Sequence, residues 1–228
     1  FRSMLETDGR LTRSAFVEAL QRDGVAASVA GGSRILTALS MRGVLALGPV
    51  VPRDEGVARE QYLVALPPRS DDADDPAVDL LVAYLRGHAP ATSADFAWWA
   101  GLSAGAARAA SERAGDRVVG LGDGLLGVPE TTEGALVGTA ALPAFDEYVL
   151  SYADRTIGLG AGDRTTVGPT ANGMMRPVVL RNGVAVGTWS LSLAVGSRGI
   201  PEATLFAADT DDGIHEALNR VRRFFGFT

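Results

Sequence analysis

Thr12-Arg13-Ser14-Ala15-Phe16-Val17-Glu18-Ala19-Leu20-Gln21-Arg22-Asp23-Gly24 is the stretch from which the fold can be read. Thr12 has the side chain of a helix N-cap, a hydroxyl that accepts from a backbone N–H one turn on. Phe16, Val17 and Leu20 recur at helical spacing and form an apolar stripe, so residues 12–22 are expected to be a helix that Gly24 breaks. Beyond it, residues 28–42 read as a second helix. Val29, Ile35, Leu36 and Leu39 fall on one face; Ala30, Arg34, Thr37 and Met41 fall opposite. Gly43 stops that helix, Val44 to Leu47 form a short strand, and Pro49 to Arg59 are rich in Pro, Gly and charge. Gln61 to Leu66 return as a second strand. Helix, turn, helix and two strands around a charged loop is the order of a winged helix-turn-helix, here residues 1–68.

The next stretch holds Pro67, Pro68 and four acids in five residues, Asp71, Asp72, Asp74 and Asp75. It reads as a solvated linker or helix start, because the His or spaced oxygen partners of a metal site are missing. Asp75-Pro76 supplies an N-cap and N1 pair for a helix to about Arg86. The first pattern then returns in shorter form over residues 74–130. Thr92 to Trp99 is a short helix, and Ser103 caps another to about Ala114. Val118–Leu121 and Leu125–Val128 pair around Gly122-Asp123-Gly124. Thr92 precedes Phe96 by four, as Thr12 precedes Phe16, and each unit ends its first strand in Leu-Gly (Leu47-Gly48 and Leu121-Gly122). An offset near 80 residues points to two tandem modules.

Residues 140–228 change character. Asn182-Gly183 between Val178-Val179-Leu180 and Val184-Ala185-Val186 is a strong hairpin signal, since both turn residues must take positive φ. Trp189, Leu191 and Leu193 alternate, Gly196–Gly199 turns the chain, and Ala203–Phe206 continues an antiparallel meander of about four strands. Thr210 caps a terminal helix, with Asp211 and Asp212 at its start and Ile214, Ala217, Leu218, Val221 and Phe225 as its stripe. Arg220, Arg222 and Arg223 suit the negative end of its dipole. The expected fold class is therefore α+β: tandem winged helix-turn-helix units followed by a β-rich antiparallel module with a C-terminal helix.

Composition narrows the chemistry. No apolar run reaches the ~18 residues of a membrane span, and no signal peptide is visible. The 228 residues contain no cysteine, which excludes disulfides, cysteine nucleophiles and thiolate metal sites and fits a reducing, cytoplasmic setting. Two isolated histidines, His88 and His215, make neither a zinc centre nor a Ser-His-Asp hydrolase. Every basic side chain is Arg, which together with abundant Ala and Gly suggests a bacterial gene of high GC content. The net charge of −6 is uneven: residues 1–70 hold 9 Arg against 7 acids, residues 71–141 hold 4 against 11, and residues 142–228 hold 8 against 9. Global negative charge weakens long-range attraction to a phosphate backbone but leaves room for a local basic face on the first unit.

In a helix-turn-helix the second helix enters the major groove. That face offers Arg34 and Thr37, flanked by Arg42, in the first unit, and Arg108 and Glu112, with Arg113 to the side, in the second. The alternative is that both units are protein-interaction modules. Arg53 and Arg59 on the first wing either touch the minor groove or decorate a solvated hairpin tip. Leu142-Pro143-Ala144-Phe145-Asp146-Glu147-Tyr148-Val149-Leu150-Ser151-Tyr152-Ala153-Asp154-Arg155 packs three acids, two tyrosines and an arginine among apolar residues. Either Asp146 and Asp154 are an acid–base pair, or Asp154 and Arg155 form ion pairs that anchor a loop. The Gly/Thr-rich residues 156–175, with Arg164 in their middle, read as a long loop. Trp98-Trp99 reads as a base-stacking platform or as core.

Thr92-Ser93-Ala94-Asp95-Phe96-Ala97-Trp98-Trp99-Ala100-Gly101-Leu102-Ser103, followed by Leu142-Pro143-Ala144-Phe145-Asp146-Glu147-Tyr148 and Asp154-Arg155, resembles a bacterial family of tandem winged-helix proteins, the AlkZ-like DNA glycosylases. Pro177-Val178-Val179, Asn182-Gly183-Val184 and Gly187-Thr188-Trp189 resemble it too. The resemblance implies duplex DNA along a concave surface and hydrolysis of the N-glycosidic bond of alkylated or crosslinked bases, without metal or cofactor. It makes Phe145, Asp146, Tyr148, Tyr152, Asp154 and Arg155 a family-motif segment. The family's Gln-x-Gln or Gln-x-Asp motif, which holds the nucleophilic water, has one formal match here, Gln21-Arg22-Asp23. Its central Arg replaces the apolar residue of the family, so no catalytic residue is assigned. The chain is expected to correspond to the C-terminal two-thirds of the family's length, an expectation that the missing initial Met favours, with the catalytic module outside it. A DNA-binding portion is the expected function; a protein-interaction scaffold and a winged-helix transcriptional regulator are the alternatives.

Overall fold

The computed structural model describes residues 5, 9–25, 28–52, 60–68, 74–134, 136–160, 164–194, 196–207 and 212–227. It divides into two compact units, Phe1–Asp72 with Leu193–Val195, and Ala73–Ser192 with Gly196–Thr228. The class is α+β: helices with antiparallel sheets, closing on a C-terminal helix.

In the first unit, strand β1 (Leu11–Thr12) runs into helix α1 (Arg13–Arg22). The Thr12 hydroxyl accepts from Ala15 N at 3.2 Å, which satisfies one of the free N–H groups at the helix start. Helix α2 (Val29–Met41) is capped likewise by Ser28, whose side chain accepts from Gly31 N. Strands β2 (Leu45–Val50) and β3 (Gln61–Ala65) pair antiparallel, and β1 pairs on the other side of β3, giving the order β1-β3-β2. Leu5, Leu11, Phe16, Val17, Leu45 and Leu63 form the core, with Ile35, Leu36 and Leu39 against it. Gly32 lets the two helices approach: a Cβ there would lie 2.9 Å from Val17 Cγ2. Val29, expected on the buried face, is 65% exposed instead. The packing of α2 starts one turn later, at Gly32.

The second unit begins with α3 (Pro76–His88), α4 (Ser93–Ala100) and α5 (Ala104–Arg113). Asp75, Thr92 and Ser103 cap them, Thr92 in a full capping box with Asp95. Ala107 and Ala110 are fully buried, and their small side chains let α5 close onto Phe96, Leu81, Tyr84 and Leu85. Strands β4 (Val119–Gly122) and β5 (Leu125–Gly127) pair around Asp123, whose φ is +50°.

A four-stranded antiparallel sheet follows, in the order β6 (Thr139–Leu142), β7 (Val178–Arg181), β8 (Val184–Ser190), β9 (Glu202–Leu205). Asn182 and Gly183 have φ of +49° and +81°, as the β7–β8 turn requires. Two expectations are corrected here. The sheet's first strand is Thr139–Leu142, which the meander reading did not include, and β8 ends at Ser190 before Leu191 and Leu193. The expected long loop at 156–175 is also partly helical. After α6 (Glu147–Leu150), turns α7 (Thr156–Leu159) and α8 (Arg164–Val167) form, and Leu159, Val167 and Met175 are buried. Successive β7 residues serve two cores: Val178 and Leu180 pack with Val149, Leu159 and Val167, while Val179 meets Ile214 and Leu218 of α9 (Asp212–Phe224). The expected cap Thr210 and Asp211 lie outside the described residues.

Candidate functional site

Helix α2 carries the first group of expected contact residues. Arg34, Thr37 and Arg42 are all exposed, Arg34 and Thr37 on the side away from Ile35, Leu36 and Leu39 and Arg42 as the C-cap just past the helix end. Thr37 donates its hydroxyl to Ser33 O at 3.1 Å, which fixes its rotamer and leaves lone pairs outward. Two further cations of this unit, Arg13 against α2 and Arg10 against β3, were missed in the sequence. Arg13 Nη2 donates to Ser33 Oγ at 2.7 Å, and the Arg10 guanidinium lies 4.4 Å from the centre of the Tyr62 ring. Their signal was in the sequence: both flank the Thr12 cap. Among the described residues of this unit, Arg10, Arg13, Arg22, Arg34 and Arg42 stand against Glu18, Asp23 and Glu60. The excess is positive although the chain as a whole is negative. Arg53 and Arg59 lie outside the described residues.

Gln21, Arg22 and Asp23 end α1 with all three residues exposed.

On α5, Arg108 is exposed, whereas Arg113 is engaged: its Nε donates to Asp75 Oδ2 at 2.6 Å and its Nη2 to Oδ1 at 3.3 Å. Arg113 is the main reason that the Asp75 carboxyl is held below its ordinary range, with the Val78 N–H second. Arg117 makes a matching pair with Asp79. These pairs link α5 and the turn after it to the start of α3.

The segment 145–155 sits against α3 and α4. Asp146 caps α6 by accepting from Tyr148 N at 2.9 Å, and Asp154 accepts from Thr156 N and Oγ1. Each carboxylate thus closes a local turn. Phe145, just before the first cap, has φ of +60°, a region that bulky side chains seldom adopt, and is 47% exposed. Three tyrosine hydroxyls donate to backbone carbonyls: Tyr84 to Ser151 at 3.0 Å, Tyr152 to His88 at 2.9 Å, and Tyr148 to Gly183 in the β7–β8 turn at 2.7 Å. Burial raises all three phenols above their ordinary range; for Tyr84 Asp95 is the next cause, and for Tyr152 it is Tyr148. They therefore remain donors through neutral pH.

Glu147 was the unnoticed member of this segment. Its Oε1 accepts from Trp99 Nε1 at 2.6 Å and lies 3.6 Å from His88 Nε2. His88 Nδ1 is the donor to Tyr84 O at 3.0 Å, because a carbonyl only accepts, and the ring stacks on Tyr84 at 4.7 Å. Trp99 packs into this cluster. Trp98 stays 53% exposed, with Nε1 donating to Leu150 O and the Arg155 guanidinium 5.3 Å from its ring centre. Among the described residues no group of three or more His, Asp or Glu is placed to hold a metal ion, and no helix is long and apolar enough to cross a membrane.

Residues 1–224 match the family model of the AlkZ-like DNA glycosylases. The matching region takes in nearly the whole chain from the first residue, which corrects the expectation of a C-terminal two-thirds fragment of the family. The DNA glycosylase AlkZ of Streptomyces sahachiroi has a similar fold, with a TM-score of 0.68 at 23% identity, over 95% of this chain and 62% of that one. This chain therefore spans less than two thirds of the length of that structure. No curated protein matches it in sequence.

Proposed function

We propose, from the premise that the chain belongs to the family of AlkZ-like DNA glycosylases, that it holds duplex DNA as the DNA-binding part of a tandem winged-helix protein acting in alkylation or crosslink repair. The observation that carries this reading is the arginine-rich face of α2. Arg34 and Arg42 project into solvent beside Thr37, and Arg10 and Arg13 extend the charge. Guanidinium groups make forked hydrogen bonds to phosphate, and a helix of this kind fits the major groove. Arg108 of the second winged helix and the Arg53 and Arg59 wing add phosphate contacts. Arg113 contributes through Asp75, by fixing the helix that carries Arg108.

The family reaction is hydrolysis of an N-glycosidic bond. No residue of this chain is assigned to it: Gln21 and Asp23 are exposed at a helix end. In this reading the Phe145–Arg155 segment shapes the DNA-facing surface of the second unit.

The test is duplex affinity at several salt concentrations for the wild type and for Arg34→Ala with Arg42→Ala. Two lost phosphate contacts should flatten the slope of log K against log salt by about 1.8. An unchanged slope and affinity would remove α2 from the DNA footprint. The 11 acids against 4 Arg in residues 71–141 favour a second reading, a protein-interaction module. Wild-type protein that binds no duplex even at low salt would select it.

A further inference from the structure

Consecutive residues on a helix point about 100° apart, so Trp98 and Trp99 cannot both face one core. Trp99 takes the inner position between Tyr84 and His88. Trp98 is left outside, 53% exposed, and it is not free to swing: its Nε1–H is held by Leu150 O at 2.9 Å. An anchored indole in water is an unusual use of a large apolar side chain. Arg155 places its guanidinium over the ring, 5.3 Å from the ring centre.

Three acids of this region are engaged with other groups: Glu147 is held by Trp99 and approached by His88, Asp95 is held by Thr92 and Ala153, and Asp154 accepts from Thr156 N and Oγ1. Among the described residues Arg155 has no carboxylate partner. An arginine positioned by a ring rather than by an acid keeps its donors for an incoming anion. Every nucleobase has a π-face that an indole can stack on. In a continuous duplex those faces are covered by neighbouring base pairs. An anchored indole next to an uncommitted arginine therefore suits a nucleotide that has left the stack.

We propose that Trp98 and Arg155 form a site for one unstacked nucleotide of bound DNA, Trp98 stacking on the base and Arg155 holding its phosphate. This rests on the DNA-binding reading above and adds to it a preference for unpaired nucleotides.

The experiment uses the full 228-residue chain with two probes, a duplex carrying a central three-nucleotide bulge and the same duplex fully paired. Tryptophan emission and affinity are followed together. Wild type should bind the bulged probe about tenfold more tightly, with quenching. Trp98→Phe should lose the quenching while keeping part of the preference. Trp98→Ala and Arg155→Gln should bring the bulged affinity down to the paired value, with paired affinity nearly unchanged. Thermal melts of each variant confirm folding, and Trp98→Phe, which keeps an aromatic ring, covers the case in which Trp98→Ala fails to fold. Variants that keep the wild-type ratio of bulged to paired affinity overturn this site and leave the DNA reading standing. Wild type that binds neither probe overturns both.

Discussion

The carboxylate of Asp95 joins two parts of the second unit: Oδ2 accepts from Thr92 N and Oγ1 at the start of its own helix, and Oδ1 accepts from Ala153 N at 2.9 Å, 58 residues further on. Asp95 is also buried, so its removal would strand donors away from water. Asp95→Ala is expected to destabilise the protein by about 2–3 kcal/mol, the sum of a lost cap and a lost charge-assisted hydrogen bond. Asp95→Asn, which retains an acceptor, should lie between it and wild type in urea denaturation. Equal stability of all three would show that the link contributes nothing.

Helix glycines separate packing from propensity. At Gly32 an added Cβ would press on Val17 at 2.9 Å, and overpacking costs about 1–3 kcal/mol against a propensity gain of up to ~1. Gly32→Ala should be destabilising. Gly87, near the end of α3, has open space around it, so Gly87→Ala should stabilise by about 0.5–1 kcal/mol. Melting temperatures of the two variants should move in opposite directions.

The Asp75–Arg113 pair should appear in the acid limb of stability. Its carboxyl titrates below the ordinary value of 3.8 because Arg113 and the helix N–H groups favour the charged form. A depressed folded value means that the contribution is complete above 3.8 and is lost as pH falls through the folded value. Arg113→Gln should melt below wild type at neutral pH, and the gap should close as pH drops below about 4. A gap that stays constant through the acid range would contradict this.

Thr12 and Thr92 each cap a helix but do not carry equal weight. Thr12 caps one backbone N–H, that of Ala15, and otherwise meets only the exposed Ser14 hydroxyl, so Thr12→Ala should cost about 1 kcal/mol. Thr92 also donates to Asp95, so Thr92→Ala should cost more, as chemical denaturation would show. Equal losses would mean that the Thr92–Asp95 box adds no stability.

Gln21→Ala should leave duplex affinity unchanged, since Gln21 is exposed at the end of α1 and lies outside the Arg34–Arg42 face. Release of alkylated bases by this chain that Gln21→Ala abolishes would instead make Gln21 catalytic.

Much of the fold was legible locally. Thr12, Asp75, Thr92 and Ser103 announce helix starts because a cap bonds N–H groups two or three residues away. Asn182-Gly183 announces a hairpin because the turn needs two positive φ angles in succession. In both cases the deciding interaction lies within a few neighbouring residues. Strand β6 was not legible: Thr139-Ala140-Ala141-Leu142 has little strand character of its own and is held by pairing with β7, about forty residues later. The same holds for residues 156–175, whose turns exist because Leu159 and Val167 find Val178 and Leu180.

The candidate sites divide along the same line. The amino-acid sequence alone placed Arg34 and Thr37 on the helix side opposite the partly buried Ile35, Leu36 and Leu39, because helical periodicity relates near neighbours in the chain. Only the tertiary structure decided that Arg113 is committed to Asp75, that Trp99 rather than Trp98 enters the core, and that Arg155 stands over an exposed ring. Those choices depend on partners 38 to 58 residues apart or more, as in Arg113 with Asp75 and Ala153 with Asp95. Packing brings such residues together through burial of surface that no local pattern encodes.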